Sequence, residues 1–367
     1  SSVCSGGTTE TPEKEVVMRS ITIAFTVVFI LASTAVTIES KSGPGGYERE
    51  LAGIITVAQD GAHFDSVRAA LEFLETVSPP PSASNPYVVR IGPGVYEERV
   101  EMMEWVNIEG SGRAVTIISA SGSDDFGGAY TILGADNAEL SRMTIRNLGY
   151  GMNYSNAVVC DGSSPVLRDL KIFAAGAASM ARGVYADHSD VVLDNVVIEA
   201  VDGRFVGAFR SNDGTPSLNR VQARADGATD EAYGIGFGFA DGTVRIVDSR
   251  IVAGSGAEAV AEGIQLDRSA GLLLDGVVVE TAASVRSWAL SLLDVGDVVV
   301  RNSTLSAFGG SALGYGIRDS GSEPAPVPRE ITGSTVRGDR ASIFLQSANV
   351  YHVGTSRLSG SVTSYMG

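Results

Sequence analysis

From about residue 54 the chain alternates short apolar stretches with single small or polar residues, a pattern of period two rather than 3.6. "IITVAQDG", "YVVRI", "VYEERVEM", "WVNIEG" and "VTIIS" each read as a strand closed by a turn residue. One segment departs from this. In "FDSVRAALEFLETVS", Phe64, Val67, Leu71 and Leu74 fall on one face at helical spacing, with Asp65 near the start. The proline cluster "SPPPSASNP" (78–86) ends that helix.

From about residue 138 the sequence repeats itself. "ELSRMTI", "VLRDLKI", "VLDNVVI", "SLNRVQA", "RIVDSRI", "LLLDGVVV", "VVVRNSTL", "REITGSTV" and "YHVGTSRL" share one plan: an apolar stretch, a turn residue, a second short strand. The turn positions read as Ser141, Asp169, Asp194, Asn219, Asp248, Asp275, Asn302, Gly333 and Gly354, at steps of 21 to 31 residues. Asn, Asp and Gly suit such bends because they tolerate left-handed backbone angles or bond to their own backbone. A further phrase follows each one: "AVVCD", "GVYAD", "GAFRS", "GIGFG", "GIQLD", "ALSLLD", "GIRD".

A period in the twenties with several strands per repeat predicts a parallel β-solenoid, in which residues of like phase stack from coil to coil. No helical pattern lies between the strands, which excludes a βαβ sheet. The helix over 64–77 is expected to cap the first coil. No equivalent follows at the other end, so the C-terminal coil is expected to stay open, to pair with a second copy, or to be cut short. Outward positions of the further phrase predict a surface stripe of Val159, Tyr185, Phe209, Gly236, Gln265, Ser291, Arg318 and Leu345.

Ahead of the solenoid, "MRSITIAFTVVFILASTA" has a basic start, an apolar run and small residues at Ser33 and Ala35, the layout of an export signal. Residues 18–35 are read as that signal. Retained, residues 21–38 are long enough to anchor the chain in a bilayer. Residues 1–17 then lie upstream of the natural start at Met18, 36–52 form a linker, and 53–367 form the solenoid. The expected location is secreted or cell-surface. Without the signal, Cys160 is the only cysteine, so no internal disulfide is expected. The net charge of −16 excludes nucleic acid as a partner. It admits an anionic polymer only through a locally basic groove.

The stretch "ITVAQDGAHFDSVRAALEFLE … YVVRIGPGVYEERVEM … VNIEGSGRAVTII" resembles the opening of the pectin lyase-like superfamily, and most closely its pectin methylesterase branch. The likeness covers residues 54–119 well and 138–210 more loosely. It implies an all-β, right-handed parallel β-helix with an N-terminal amphipathic capping helix. Catalysis in that branch uses an aspartate nucleophile, an acid/base aspartate, two oxyanion glutamines and an orienting arginine. In this chain Asn156 stands where the first glutamine would be, Ala181 replaces the second, and Arg182 replaces the acid/base aspartate. Gly203 stands at the nucleophile's place, with Asp202 one residue early. The resemblance therefore implies the scaffold without the esterase site.

Other chemistry centres on "DHSD". Asp187, His188 and Asp190 fall in a bend, where they read either as turn residues or, with Asp202, as an acid/base group. Asn156, Arg182, Tyr185, Arg204, Phe209 and Arg210 are the candidate substrate-binding residues, with aromatic faces for sugar rings and guanidinium groups for uronates. No metal or cofactor motif is found, and "SGSDDFGG" reads as a solvated loop. Three functions stay open: a polysaccharide-binding protein without esterase activity, a carbohydrate hydrolase, lyase or esterase, and a structural or adhesive surface rod.

Overall fold

A computed structural model of the protein describes residues 53–255, 260–283, 285–309, 313–321 and 327–364. The proposed export signal, upstream segment and linker lie outside them. No helix among the described residues is long and apolar enough to cross a membrane. The described residues pack as one unit.

The described residues wind into a right-handed parallel β-helix with three faces. The first face is a sheet of twelve strands, from Ile54–Val57 through Tyr87–Ile91 and Val166–Arg168 to Val350–Gly354. The second includes Thr144–Leu148, Val278–Ala282 and Thr304–Phe308, and the third includes Tyr154–Asp161, Val260–Asp267, Arg286–Leu293 and Leu313–Ser320. Three long strands, Lys171–Asp187, Val197–Asn212 and Gln222–Gly238, run through the corner between second and third faces, with a break in register there. Every pairing between these strands is parallel. Leu140, Leu167, Leu193, Leu218, Ile246 and Leu274 make one continuous buried column.

The turn between first and second faces is a column of left-handed residues: Arg142, Asp169, Asn195, Arg220, Asp248, Gly276, Asn302, Gly333 and Thr355. Four of these match the turn positions read from sequence, and the other five sit one residue later. Most of these backbone N–H groups donate to the coil ahead, as from Asn195 to the Asn219 carbonyl at 3.0 Å. The preceding position supplies side-chain rungs, such as Asn219 Nδ2 to Asp194 Oδ1 at 2.9 Å.

Helix α1 (Val67–Leu74) covers the first coil with Val67, Ala70, Leu71 and Leu74 buried. Ser66 caps it, and the Glu98 carboxylate accepts from the Val67 and Arg68 N–H groups at 2.8 and 2.9 Å. Both devices satisfy donors that a helix start leaves orphaned. At the other end the interior turns polar. Arg329 and Asp319, each almost fully enclosed, pair at 3.1 Å, and Tyr351 and Asn349 bond the same carboxylate. Val353, in register with buried Ile331, has no strand beyond it among the described residues and is 42% exposed.

Candidate functional site

The third face departs from strict alternation. Residues 183 and 184 both point inward, and the same holds in every coil aligned with them. The first of these columns must be small: Ala157, Gly183, Ala208, Gly234, Gly263, Ala289, Gly316 and Ser342. A Cβ at Gly183 would sit 2.1 Å from Ile198 Cγ2, and one at Gly263 2.2 Å from Val279 Cγ1. The second column is the core itself, with Val184, Phe209, Ile235, Ile264 and Leu290 fully buried.

This corrects the predicted stripe at two places. Phe209 is fully buried and packs on Phe237 with ring centroids 5.7 Å apart. Gly207 of "GAFRS" is not equivalent to Gly183 of "GVYAD"; the register pairs it with Arg182, which moves Arg210 outward beside Tyr185. Likewise Phe344, not Leu345, follows Arg318.

Two outward columns result. One runs Asn156, Arg182, Gly207, Tyr233, Glu262, Trp288, Tyr315, and the other Val159, Tyr185, Arg210, Gly236, Gln265, Ser291, Arg318, Phe344. Glycines in these columns let long side chains lie along the solenoid. Tyr233 lies over Gly207, where an added Cβ would meet its ring at 2.1 Å, and accepts from Arg182 Nε at 2.9 Å. Arg210 lies over Gly236 to reach Gln265 Oε1 at 2.9 Å and bonds Asn212 at 3.0 Å.

Aromatic rings flank the guanidinium groups. Arg182 lies 4.8 Å over the Tyr185 ring, and Phe126 packs edge-on to both Tyr154 and Tyr185. The "SGSDDFGG" loop carries Phe126 here, with Asp124 and Asp125 accepting from the Asn153 and Gly127 backbone N–H groups. Arg318 lies 4.6 Å over Trp288, and Tyr315 stacks on Phe344. Among the described residues, no carboxylate lies within 4 Å of Arg182, Arg210 or Arg318. Three side chains of the first column are buried with polar atoms unpartnered: both amide atoms of Asn156, Glu262 Oε2 and Trp288 Nε1.

Electrostatically the focus is Glu262. Burial first, and then the Glu231 charge, push its carboxyl up to about 7, against Arg318, a Ser291 hydrogen bond and Arg210. Burial also raises Glu231, which Arg210 opposes. Neither glutamate stood out in the sequence. Glu262 occupies the column just before each small inward position, which the repeat phrases as quoted leave out, and Glu231 lies two residues ahead of that column in the neighbouring coil.

The remaining candidates are dispersed. His188 takes a left-handed turn position, with Asp187 3.5 Å from Nδ1 and Asp213 4.0 Å from Nε2. One ligand atom from each of these three lies within 4.8 Å of the others, a metal-competent grouping that the sequence hides because two coils supply it. Asp190 Oδ1 accepts from the Thr215 N–H at 2.7 Å. Asp202 sits at the opposite corner, ten residues before Asn212, the strand partner of Asp187. That is on the order of 30 Å of extended chain, so Asp202 and "DHSD" form no common group. Beside Asp202, Arg204 is paired with Asp230 at 2.6 Å. Asp202 and Arg204 border an open groove of about 420 Å³ with Tyr150 and Gly203.

No protein-family model and no curated protein matches the chain. Solved structures do. The Dettilon tailspike protein is 12% identical over 85% of this chain and 68% of its own, at a TM-score of 0.52. An A-module of mannuronan C-5 epimerase from Azotobacter vinelandii is 13% identical over 82% of this chain and 92% of its own, at 0.48. A pectin methylesterase in complex with a hexasaccharide is 14% identical over 68% of this chain and 80% of its own, at 0.40. At these identities the likeness is one of fold.

Proposed function

We propose that the third face binds a polysaccharide lying along the solenoid axis, and that the protein acts outside the cell or at its surface. The observation that carries this is the pair of outward columns. Aromatic rings lie there beside guanidinium groups that have no carboxylate within 4 Å among the described residues, next to buried polar atoms with no partner among them either. The part-exposed Tyr185 suits a sugar ring with its face and a hydroxyl group with its polar end. A buried polar atom left alone is costly, which favours a ligand that completes it.

Arg182, Arg210 and Arg318 favour an anionic, uronate-rich chain despite the net charge of −16. Asn156 and Tyr185 complete the binding set. Arg204, held by Asp230 at the corner, is left out, as is Phe209 in the core. Pectin methylesterase chemistry does not belong to this reading, because Arg182 and Gly203 stand where its two aspartates would be and a covalent ester intermediate needs a placed carboxylate.

Affinity electrophoresis through gels containing demethylated pectin, alginate or a neutral glucan tests the reading. Retardation by a uronate polymer is expected, weakening with salt. Arg182→Ala and Tyr185→Ala should abolish it, and Arg224→Ala on the second face should not. Migration unaffected by every polymer would refute it.

A further inference from the structure

The third face holds two carboxyl groups that form no ion pair among the described residues: Glu262 in the first outward column, and Glu231 two residues before Tyr233 of that column. Glu231 is in register with Val260, and Glu262 with Tyr233, so the glutamates occupy neighbouring coils two positions apart. Strand spacing and rise then put their backbones about 8 Å apart on a diagonal. Side chains rising in parallel from such positions keep about that separation, within the range of about 6.5–9.5 Å that inverting hydrolysis of a glycoside uses.

Glu262 is 5% exposed, and its Oε2 has no partner. Ser291 of the next coil bonds the carboxyl, Trp288 stands beside it in the column with a free indole N–H, and Tyr233 flanks it on the other side. Arg210 and Arg318 are the cations whose charges reach it. A carboxyl buried without an ion-pair partner among the described residues costs stability, the pattern expected of a group kept for chemistry.

We propose that Glu262 and Glu231 are the acid and base of a glycoside hydrolase site on the third face, an assignment that rests on that face binding polysaccharide. Glu262 gives its proton to the glycosidic oxygen as the bond from that oxygen to the anomeric carbon breaks. Water forms the new bond to that carbon, and its proton passes to Glu231. The products are two shorter chains, and one proton moves from Glu231 back to Glu262 through solvent. No oxidant or further reactant enters. Burial, and then the Glu231 charge, oppose ionisation of Glu262 and favour its keeping the proton.

The test uses the full-length chain with demethylated pectin, alginate and β-glucan in ¹⁸O-labelled water. Binding is read by affinity electrophoresis and products by mass spectrometry. The expected result is a bound polymer cut to saturated fragments, each new reducing end carrying one ¹⁸O. Glu262→Gln and Glu231→Gln should slow cutting by about a hundredfold to ten-thousandfold. Both should keep the wild-type affinity within a few-fold and melt cooperatively. A polymer bound but left intact by the wild-type chain would overturn the pair and spare the binding face. Unsaturated ends, or undiminished cutting by Glu262→Gln, would overturn the hydrolytic assignment. A failure to bind any of the three would overturn the binding face and the pair together.

Discussion

Arg182 Nε donates to the Tyr233 hydroxyl at 2.9 Å, joining residues two coils and 51 positions apart across the bare backbone of Gly207. The contact exists because the intervening coil contributes no side chain. A methyl group at Gly207 would meet the Tyr233 ring at 2.1 Å. The ring is the far end of a side chain, so it would swing rather than the backbone shift. Gly207→Ala should therefore cost about 1–3 kcal/mol. Most of that cost should vanish in a Tyr233→Ala background, and a double-mutant cycle by urea unfolding measures the coupling.

Glu262 predicts a pH dependence of stability. Its carboxyl is raised from 4.5 to about 7, chiefly by burial and then by Glu231. Folding thus holds a proton that the unfolded chain gives up. The associated stability is full below pH 4.5 and is lost as pH rises towards 7. A shift of this size corresponds to about 3 kcal/mol. Glu262→Gln should be close to wild type at pH 4 and more stable by up to about that amount at pH 8. Urea midpoints at the two pH values decide it.

The repeat is legible in the sequence because a parallel solenoid stacks like on like, so its core columns and turns print a period directly. The register is legible only to about one residue. Asp194 and Asn195 are both turn-compatible, and only the backbone decides that Asn195 is left-handed while Asp194 supplies the side-chain rung. The third face misleads for a related reason. Two successive inward positions break the alternation, so "GAFRS" and "GVYAD" align by their glycines in sequence but not in space. Glu231 and Glu262 were illegible as a pair, since 31 residues and a coil boundary separate them and nothing local marks either.

The corrected register gives opposite expectations for two neighbours. Phe209 fills the core against Phe237, so Phe209→Ala should cost about 3–5 kcal/mol. Arg210 lies over Gly236 on the outer face, so Arg210→Ala should cost less than about 1.5 kcal/mol, the worth of its hydrogen bonds. The loss in that variant should instead appear as weakened retardation by uronate polymers. Unfolding curves and affinity gels on the same two proteins separate the effects.

Cys160 is fully buried, and burial pushes its thiol up to about 12. The reactive thiolate is therefore scarce and shielded at neutral pH. In a Cys4→Ser background, a thiol reagent should label no cysteine in the native protein and one after denaturation. Rapid native labelling would mean that the third face opens locally.

Arg329 stands on the first face in register between Val298 and Tyr351, where earlier coils carry apolar side chains. Its guanidinium, 1% exposed, pairs with Asp319 and donates to the carbonyls of Val295 and Gly296. Asp319 also accepts from Asn349 and from Tyr351, whose hydroxyl is raised well above its ordinary range by burial and then by that carboxylate. Removing the cation alone would leave a carboxylate enclosed with neutral donors only. Arg329→Met should cost about 3–5 kcal/mol. Arg329→Met with Asp319→Asn removes the stranded charge as well and should recover a large part of that loss. If the double variant is no more stable than the single one in urea unfolding, the cost lies in packing at the last coils rather than in the buried charge.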